Sequence, residues 1–490
     1  MLFNSYIFIL GFLPVTLSIW WILNYKHKYN GAQIAVIFLS LFFYGYYNAR
    51  YVAIILISIF GNWIISKIIE ILSTNSNQRK GIFAVGVIGL LFNILILGYF
   101  KYFNFFVTNI NALFNTDLRI INLALPLGIS FYTIQQIGFI VDRMLGRAPH
   151  YLLKDYLMYV SYFPQMIAGP IVSHKELIPQ FCDIEKRKIN FDNILRGIRI
   201  FVIGLGKKVL LADSLGKIVD AGYNNVLSLD SVSAFVVMFS YTFQLFFDFS
   251  GYCDMAIGIG YMMNIQLPLN FDSPYRAISV KEFWNRWHMT LNKFFTQYIY
   301  IPLGGSHCNK GRKLCNILIV FLISGIWHGA NWTFIIWGLL HGIMVALENV
   351  VCIEKINKKV RWILTFGFVN LAWIFFRSNS ISDAFLFYRK LFSFTITNQL
   401  VEIAKNLADY KTYVLHIVIR KMVGNEGTST LYLTVLIMLL LFSGYCCTKV
   451  NCLVRTEKET SKREMLLLAE IFSLSIISLS GVTQFLYFNF

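Results

Sequence analysis

Two histidines stand where an ionisable side chain is costly. His328 lies in Ser-Gly-Ile-Trp-His-Gly-Ala-Asn-Trp, residues 324–332, midway along a 34-residue run (314–347) with no Asp, Glu, Lys or Arg. An ionisable group at membrane depth is by default a functional-site hypothesis. Imidazole, with a pKa of about 6.5, can take or give a proton near neutral pH. The structural alternative is a core histidine bonded to a nearby carbonyl. His288 lies in Lys-Glu-Phe-Trp-Asn-Arg-Trp-His-Met-Thr-Leu-Asn, the start of the segment 281–305. Read as one helix, that segment puts Asn285, His288, Asn292 and Thr296 on one face and Phe283, Trp287, Leu291, Phe294 and Tyr298 on another. Such a helix either lies at the membrane interface or lines a wet cavity with its polar face.

Other polar residues sit among apolar ones. Asp248, Ser250 and Asp254 fall in Asp-Phe-Ser-Gly-Tyr-Cys-Asp, with apolar runs on both sides. The carboxylates need cations, N–H groups or water as partners; capping of a helix end is the structural alternative. Residues 161–180 contain Pro164, Gln165, Gly169, Pro170 and Pro179, which predicts a broken or re-entrant segment. Backbone of that kind survives in a membrane only where it is buried in protein or lines a cavity. Trp327 and Asn331 flank His328 and join the candidates. His341 reads as a core histidine, and His27, His150, His174, His307 and His416 as residues in or near loops.

The elements that position these groups follow from composition. Of 490 residues, 57% are hydrophobic and 14% charged, and mean hydropathy is +0.60. Soluble domains carry about 25% charge, so a large soluble protein, a disordered chain and a disulfide scaffold are all excluded. The remaining class is an all-α polytopic integral membrane protein. The net charge of +18 fits basic loops beside anionic lipid rather than nucleic acid. The eight cysteines show no CxxC pairing, and no structural disulfide is expected. No HExxH, Cys/His zinc spacing, GxSxG or Walker A motif occurs, so no metal site and no nucleotide hydrolysis is expected.

Met1–Tyr25 carries no charge before Lys26 and reads as a first span kinked at Pro14, not a cleavable signal. Further uncharged runs cover 31–49, 51–66, 81–100, 120–141, 156–174, 231–247, 255–271, 314–347, 362–376, 428–448 and 471–490. Run 314–347 is long enough to cross twice, with a break near Gly329–Asn331. Segment 195–212 is apolar but holds Arg196, Arg199, Lys207 and Lys208, as a span with snorkelling ends or an interfacial helix would. The whole predicts about 11–13 membrane segments, with 377–427 and 449–470 as amphipathic loops. Lys26, Lys28, Arg79, Lys80, Arg143, Arg147 and Lys154 fall in one set of loops; Arg50, Lys101 and Arg119 fall in the other. Seven against three places the N-terminus outside. No internal repeat marks a transporter, and 1–490 reads as one membrane domain: N-terminal spans to 155, a motif-bearing core over 156–350, and C-terminal spans from 351.

Five ordered motifs, YFPQMIAGPI (162–171), DFSGYCDMAIG (248–258), FWNRWHMTL (283–291), YIYIPLGG (298–305) and SGIWHGAN (324–331), together resemble the membrane-bound O-acyltransferase (MBOAT) family. More narrowly they are similar to its bacterial branch typified by the alginate O-acetyltransferase membrane subunit. LAWIFFR (371–377) and the aromatic end FLYFNF (485–490) extend the likeness over nearly the whole chain. The resemblance implies a multi-helix disc, thin at its centre, crossed by a tunnel. It implies that His328 is the principal catalytic histidine and that His288 holds the second active-site position. Relatives often carry Arg-Asp just before the Tyr-hydrophobic-Tyr-Ile-Pro-Leu motif; here Thr296-Gln297 stands instead.

The resemblance further implies acetyl transfer from cytosolic acetyl-CoA, used as a substrate with no tightly bound cofactor, to an extracytoplasmic hydroxyl. The acceptor would be a polysaccharide or a serine of a secreted, SGNH-hydrolase-like relay partner. The setting would be the bacterial cytoplasmic membrane. His328 is expected to act as general base and His288 to orient the acceptor, polarise the thioester or stabilise the oxyanion, with Asn285 and Asn292 as hydrogen-bond donors. Lys186, Arg187 and Lys188 are expected to meet the donor's phosphates. D-alanyl transfer from a carrier protein is the alternative within the class, which length and motif detail disfavour. A lipid or glycan transporter is the alternative outside it, and a non-catalytic scaffold a third.

Overall fold

Within a bilayer an apolar segment can satisfy its backbone internally only as a helix or in a closed barrel, and this chain uses helices throughout. The computed structural model describes residues 1–74, 78–121, 123–351, 353–408, 413–449, 461–479 and 485–486, and among these residues helix is the sole regular structure. The protein is all-α and polytopic. Among the described residues, six helices are long and apolar enough to span: Ile7–Tyr25, Arg50–Ser73, Arg79–Phe114, Ser231–Met262, Lys358–Arg377 and Arg420–Thr448.

A π-helical turn, Ile7–Phe12, leads into α1 (Leu13–Tyr25), with Pro14 in its first turn. α2 (Tyr29–Gly45), α3 (Arg50–Ser73) and α4 (Arg79–Leu97) follow. The run expected to end near residue 100 continues through a second π-turn, Gly98–Tyr102, into α5 (Phe103–Phe114). The run 120–141 becomes helical only at α6 (Ile129–Met144). α3, α4 and α6 are joined by buried amides: Asn62 Nδ2 donates to Asn93 Oδ1 and Gln136 Oε1, both at 3.1 Å. Polar contacts of this kind hold helices together where lipid removes the hydrophobic drive.

The predicted broken segment is broken. α7 (Leu153–Ser161), α8 (Phe163–Met166) and α9 (His174–Cys182) are separated by buried irregular backbone. That backbone finds protein partners, as burial requires: the Tyr159 hydroxyl donates to Val172 O at 3.0 Å, and Gln165 Nε2 to Tyr159 O at 2.7 Å.

α10 (Phe191–Gly206), a third π-turn (Lys207–Ala212) and α11 (Asp213–Asn224) lead to α12 (Ser231–Met262). The two runs 231–247 and 255–271 are therefore one 32-residue helix followed by irregular chain, and Asp248, Ser250 and Asp254 sit inside it, not at a cap. Asp230 caps its start instead. The physical reason is charge pairing. Lys208 Nζ lies 2.6 Å from Asp248 Oδ1 and 2.7 Å from Asp213 Oδ1, and Lys207 Nζ lies 2.6 Å from Asp254 Oδ2. In segment 195–212, therefore, Lys207 and Lys208 turn inward rather than snorkel. Glycines permit this approach: a Cβ on Gly204 would stand 2.6 Å from Gly251 O, and one on Gly251 2.7 Å from Gly204 O.

The single amphipathic helix expected over 281–305 does not form. α13 (Val280–Arg286) ends before Trp287, and α14 (Met289–Phe295) runs into a fourth π-turn, Thr296–Tyr300. α15 (Lys310–His328) and α16 (Trp332–Glu348) form the expected hairpin, turning at Gly329–Asn331. Their crossing is close: a Cβ on Gly325 would stand 2.5 Å from Phe334 O, and one on Gly338 2.4 Å from Phe321 O. α17 (Lys358–Arg377), α18 (Ile381–Leu391), α19 (Gln399–Ala404), α20 (Tyr413–Thr448) and α21 (Lys462–Ile477) follow among the described residues. Segment 377–427, expected as amphipathic loops, is thus mostly helical. Parts of two other expected elements, 450–460 in segment 449–470 and 480–484 and 487–490 in run 471–490, lie outside the described residues, as does the side chain of His416.

Candidate active site

His328 is the last residue of α15 and is 3% exposed. Three aromatic rings fix it edge-to-face: Trp327 at 4.9 Å, Trp337 at 5.0 Å and Phe376 at 5.2 Å between centroids. The α15–α16 hairpin supplies two of them, and α17 supplies the third.

His288 reaches the same place by a different route. It is the hinge between α13 and α14, with φ 46° and ψ 50°, and is 1% exposed. A non-glycine residue in the left-handed region is uncommon and persists only where its surroundings enforce it. Phe249 of α12 packs against its ring at 4.8 Å, and Trp327 lies at 6.2 Å. Trp327 thus touches both histidines, which belong to different elements.

Asn270 holds this hinge. Its Oδ1 lies 3.2 Å from His288 Nδ1 and accepts from the Thr290 amide at 3.2 Å and the Thr290 hydroxyl at 2.9 Å. Its carbonyl accepts from Met289 N at 2.9 Å. Because a backbone amide can only donate, the shared side-chain atom is oxygen. His288 Nδ1 therefore carries the proton in the neutral ring, and Nε2 carries the lone pair. Sequence reasoning missed Asn270; its one trace is a polar residue at the end of the uncharged run 255–271, two positions after Pro268.

Two large cavities border residues next to the histidines and have no lining residue in common. One, of about 1030 Å³, is bordered by Lys101, Asp248, Gly329, Asn331 and Phe376. A narrow pocket beside it is lined by Lys101, Trp327 and His328. The other large cavity, of about 860 Å³, is bordered by Asn285, Met289, Thr290, Asn292 and Gln297. The first touches the residues that follow His328, the second those that follow His288.

The remaining candidates divide. Asn285 and Asn292 border the second cavity, although the helix break separates them from the buried His288; Asn292 Nδ2 also donates to Trp284 O at 3.1 Å. Asn331 caps α16 through Thr333 N at 3.1 Å and donates to Asn379 O at 2.7 Å. Asp248 borders the first cavity as the partner of Lys208, Asp254 is taken by Lys207, and Ser250 is buried on α12. Gln165 pins the broken segment. The structure does not bring Lys186, Arg187 and Lys188 to these cavities. Arg187 stacks on Trp20 at 4.4 Å and donates to Phe181 O; Lys186 donates to Gln180, and Lys188 pairs with Glu185. Burial draws the Arg187 pKa down to about 10.

Two other histidines differ in how far the sequence placed them. His341 is a core histidine as expected, its Nδ1 accepting from Trp284 Nε1 at 3.2 Å. His174, expected near a loop, is 1% exposed: its Nε2 lies 3.1 Å from Asp142 Oδ2 and its Nδ1 3.0 Å from the Tyr151 hydroxyl. Asp142 also meets Lys175 at 2.9 Å and the Tyr298 hydroxyl at 3.3 Å, clamping α6, α9 and the fourth π-turn.

Known proteins share this plan. The model for MBOAT, the membrane-bound O-acyltransferase family, matches residues 41–382. A peptidoglycan O-acetyltransferase of Helicobacter pylori is 42% identical over 78% of this chain and 78% of its own. The "Probable alginate O-acetylase" of Azotobacter vinelandii is 35% identical over 80% of this chain and 78% of its own. A teichoic acid D-alanyltransferase of Streptococcus thermophilus is 29% identical over 47% of this chain and 59% of its own. The chain is a member of the membrane-bound O-acyltransferase family and an O-acyltransferase by class.

Proposed function

We propose that this protein transfers an acetyl group from acetyl-CoA to a hydroxyl of an extracytoplasmic polysaccharide, with His328 as the general base. The observation that carries the reading is the burial of two histidines from different elements against one ring, Trp327, with one large cavity beside the pocket of His328 and another at the residues that follow His288. In this reading the hydroxyl enters by the first cavity and the thioester by the second. The similarity to peptidoglycan and alginate acetylating proteins supports an acetyl donor and a polysaccharide acceptor. The similarity to a D-alanyltransferase covers far less of the chain.

His328 takes the proton of the acceptor hydroxyl as its oxygen attacks the thioester carbonyl. The C–S bond breaks, and the thiolate leaving group recovers the proton. His288 presents the Nε2 lone pair and serves to orient the hydroxyl by accepting its hydrogen bond. That role follows from the tautomer set by Asn270; polarising the carbonyl would need a second N–H on the ring. The aromatic surround excludes water and so protects the thioester from hydrolysis.

Loop charge sets the orientation in this reading. The N-terminus lies outside the cytoplasmic membrane of a bacterium, the cavity at Asn331 faces out, and the cavity at Asn285 and Lys293 faces the cytosol. Acetyl-CoA enters by the latter. The acceptor is the polysaccharide itself or the serine of a secreted SGNH-hydrolase-like relay protein, with membrane lipid around the rim. The test is acetyl transfer by the purified protein in nanodiscs, from radiolabelled acetyl-CoA to peptidoglycan or alginate fragments. Transfer supports the reading; a folded sample inert with coenzyme A thioesters and both acceptors, with extracytoplasmic extract supplied as a source of relay protein, contradicts it.

A further inference from the structure

Lys101 was counted among loop charges by its sequence context, but it lies against the end of the helix that carries His328. Its Nζ donates to Trp327 O at 2.7 Å, His328 O at 3.1 Å and Ser130 Oγ at 3.2 Å. The neighbouring Tyr102 hydroxyl donates to Ile326 O at 2.7 Å. An α-helix leaves its last four carbonyls without intrahelical partners. Here three of those four, at the end of α15, are met by two consecutive side chains from a segment more than 200 residues earlier. The π-turn Gly98–Tyr102 makes this possible. Its extra residue per turn locally shifts which side chains face α15, and such bulges occur often at functional sites.

The choice of lysine carries information. Tyr102 shows that a neutral hydroxyl is enough to satisfy a carbonyl at this depth. A lysine in a span is costly, and a cation at a helix C-terminus returns part of that cost through the helix dipole. Its three N–H groups match three acceptors on two elements, α15 and α6. Lys101 also borders both the larger cavity beside Asn331 and the narrow pocket lined by His328. It therefore stands where the acceptor side of the site meets the base.

We infer that Lys101 is a positioning residue for the transfer reaction: its ammonium ties the backbone of Trp327 and His328 to α6, which fixes where the imidazole stands. The inference rests on the reading of His328 as the base. Lys101→Met keeps the side-chain length and removes all three N–H donors. Lys101→Arg restores a cation with several donors.

The experiment compares these variants with wild type and with Asn109→Ala, in nanodiscs, for kcat, KM and thermal midpoint. Asn109 Oδ1 accepts from Trp332 Nε1 at 2.8 Å, so its loss removes another bond between α5 and the hairpin, away from His328. The expected result is a fall in kcat of at least thirtyfold for Lys101→Met, with KM for acetyl-CoA within threefold and much of the rate regained in Lys101→Arg. Asn109→Ala should lower the thermal midpoint and keep kcat. A folded Lys101→Met with kcat within threefold of wild type overturns the proposal. So does a kcat loss in Asn109→Ala that matches Lys101→Met at equal thermal midpoint, because the effect would then be stability alone. Should Lys101→Met not fold, Lys101→Leu, which also has no donor, serves in its place under the same criteria. His328→Ala run in parallel separates the two readings: full activity there removes the base assignment itself, whereas an inactive His328→Ala beside an active Lys101→Met removes only the role of Lys101.

Discussion

Asn270 decides which nitrogen of His288 holds the proton. Its Oδ1 lies 3.2 Å from His288 Nδ1, and the Thr290 amide donates to the same atom at 3.2 Å. The hinge conformation of His288 and its ring chemistry are thus set by one side chain that arrives from the irregular segment after α12.

Replacing Asn270 by Ala removes the anchor of both. General acid–base groups contribute roughly 10²–10⁴-fold to rate, and loss of tautomer and ring position should forfeit about 10–100-fold of it. Steady-state kinetics of Asn270→Ala should show this fall in kcat in protein that remains monodisperse. A kcat equal to wild type would show that His288 does not depend on Asn270.

The ion pair between Lys208 and Asp248 is buried, with side chains 2% and 3% exposed. Removing one partner of such a pair costs about 3–5 kcal/mol, because the other charge remains uncompensated, whereas replacing both with apolar residues is often neutral. Lys208→Met should therefore lower thermal stability markedly, and adding Asp248→Leu should restore much of it. Asp213, the second partner of Lys208, keeps the recovery partial. A double variant less stable than Lys208→Met would contradict the pairing.

Helix α10 can lie on α12 only where neither carries a side chain. A Cβ on Gly204 would stand 2.6 Å from the Gly251 carbonyl oxygen, while one on Gly367 meets nothing within 4 Å. Gly204→Val should fail to yield folded protein on size-exclusion chromatography, and Gly367→Ala should behave as wild type. Equal yields for the two would show that α10 and α12 are free to separate.

The basic triplet 186–188 was expected at the donor's phosphates, and the structure gives Arg187 a packing role on Trp20 instead. Lys188→Glu should leave KM for acetyl-CoA within twofold of wild type. Arg187→Ala should lower stability by about 1.5–3 kcal/mol, since it removes the charged donor from the buried Phe181 carbonyl and leaves that of Gln33 alone. A tenfold rise in KM for Lys188→Glu, with stability retained, would return the donor to this loop.

Much of this arrangement is legible in the sequence, for physical reasons that differ by residue. Long uncharged runs must be helices in lipid, so the class of fold follows directly, and the hairpin break at Gly329–Asn331 follows from its small residues. His328 stands out because nothing else in its 34 residues but Cys315 and His341 ionises. His288 is harder to place. Periodicity puts it on a helical face, but Asn270, 18 residues away, holds it as a hinge, and no local pattern records that bond. The same limit hides Asp142–His174, Lys207–Asp254 and Lys208–Asp248, whose partners are 32, 47 and 40 residues apart. It also hides Lys101, whose carbonyl partners lie 226 and 227 residues away. Segment 231–262 reads as two spans because its carboxylates look like boundaries until their lysines are seen.

In the proposed reaction His328 is the base that takes the proton of the acceptor hydroxyl as it attacks the thioester. The most direct measurement is single-turnover transfer of label from radiolabelled acetyl-CoA to a polysaccharide fragment in nanodiscs, comparing wild type with His328→Ala at matched thermal stability. His328→Ala should lose about 10²–10⁴-fold in rate, with donor still bound. Transfer at the wild-type rate in His328→Ala would contradict it.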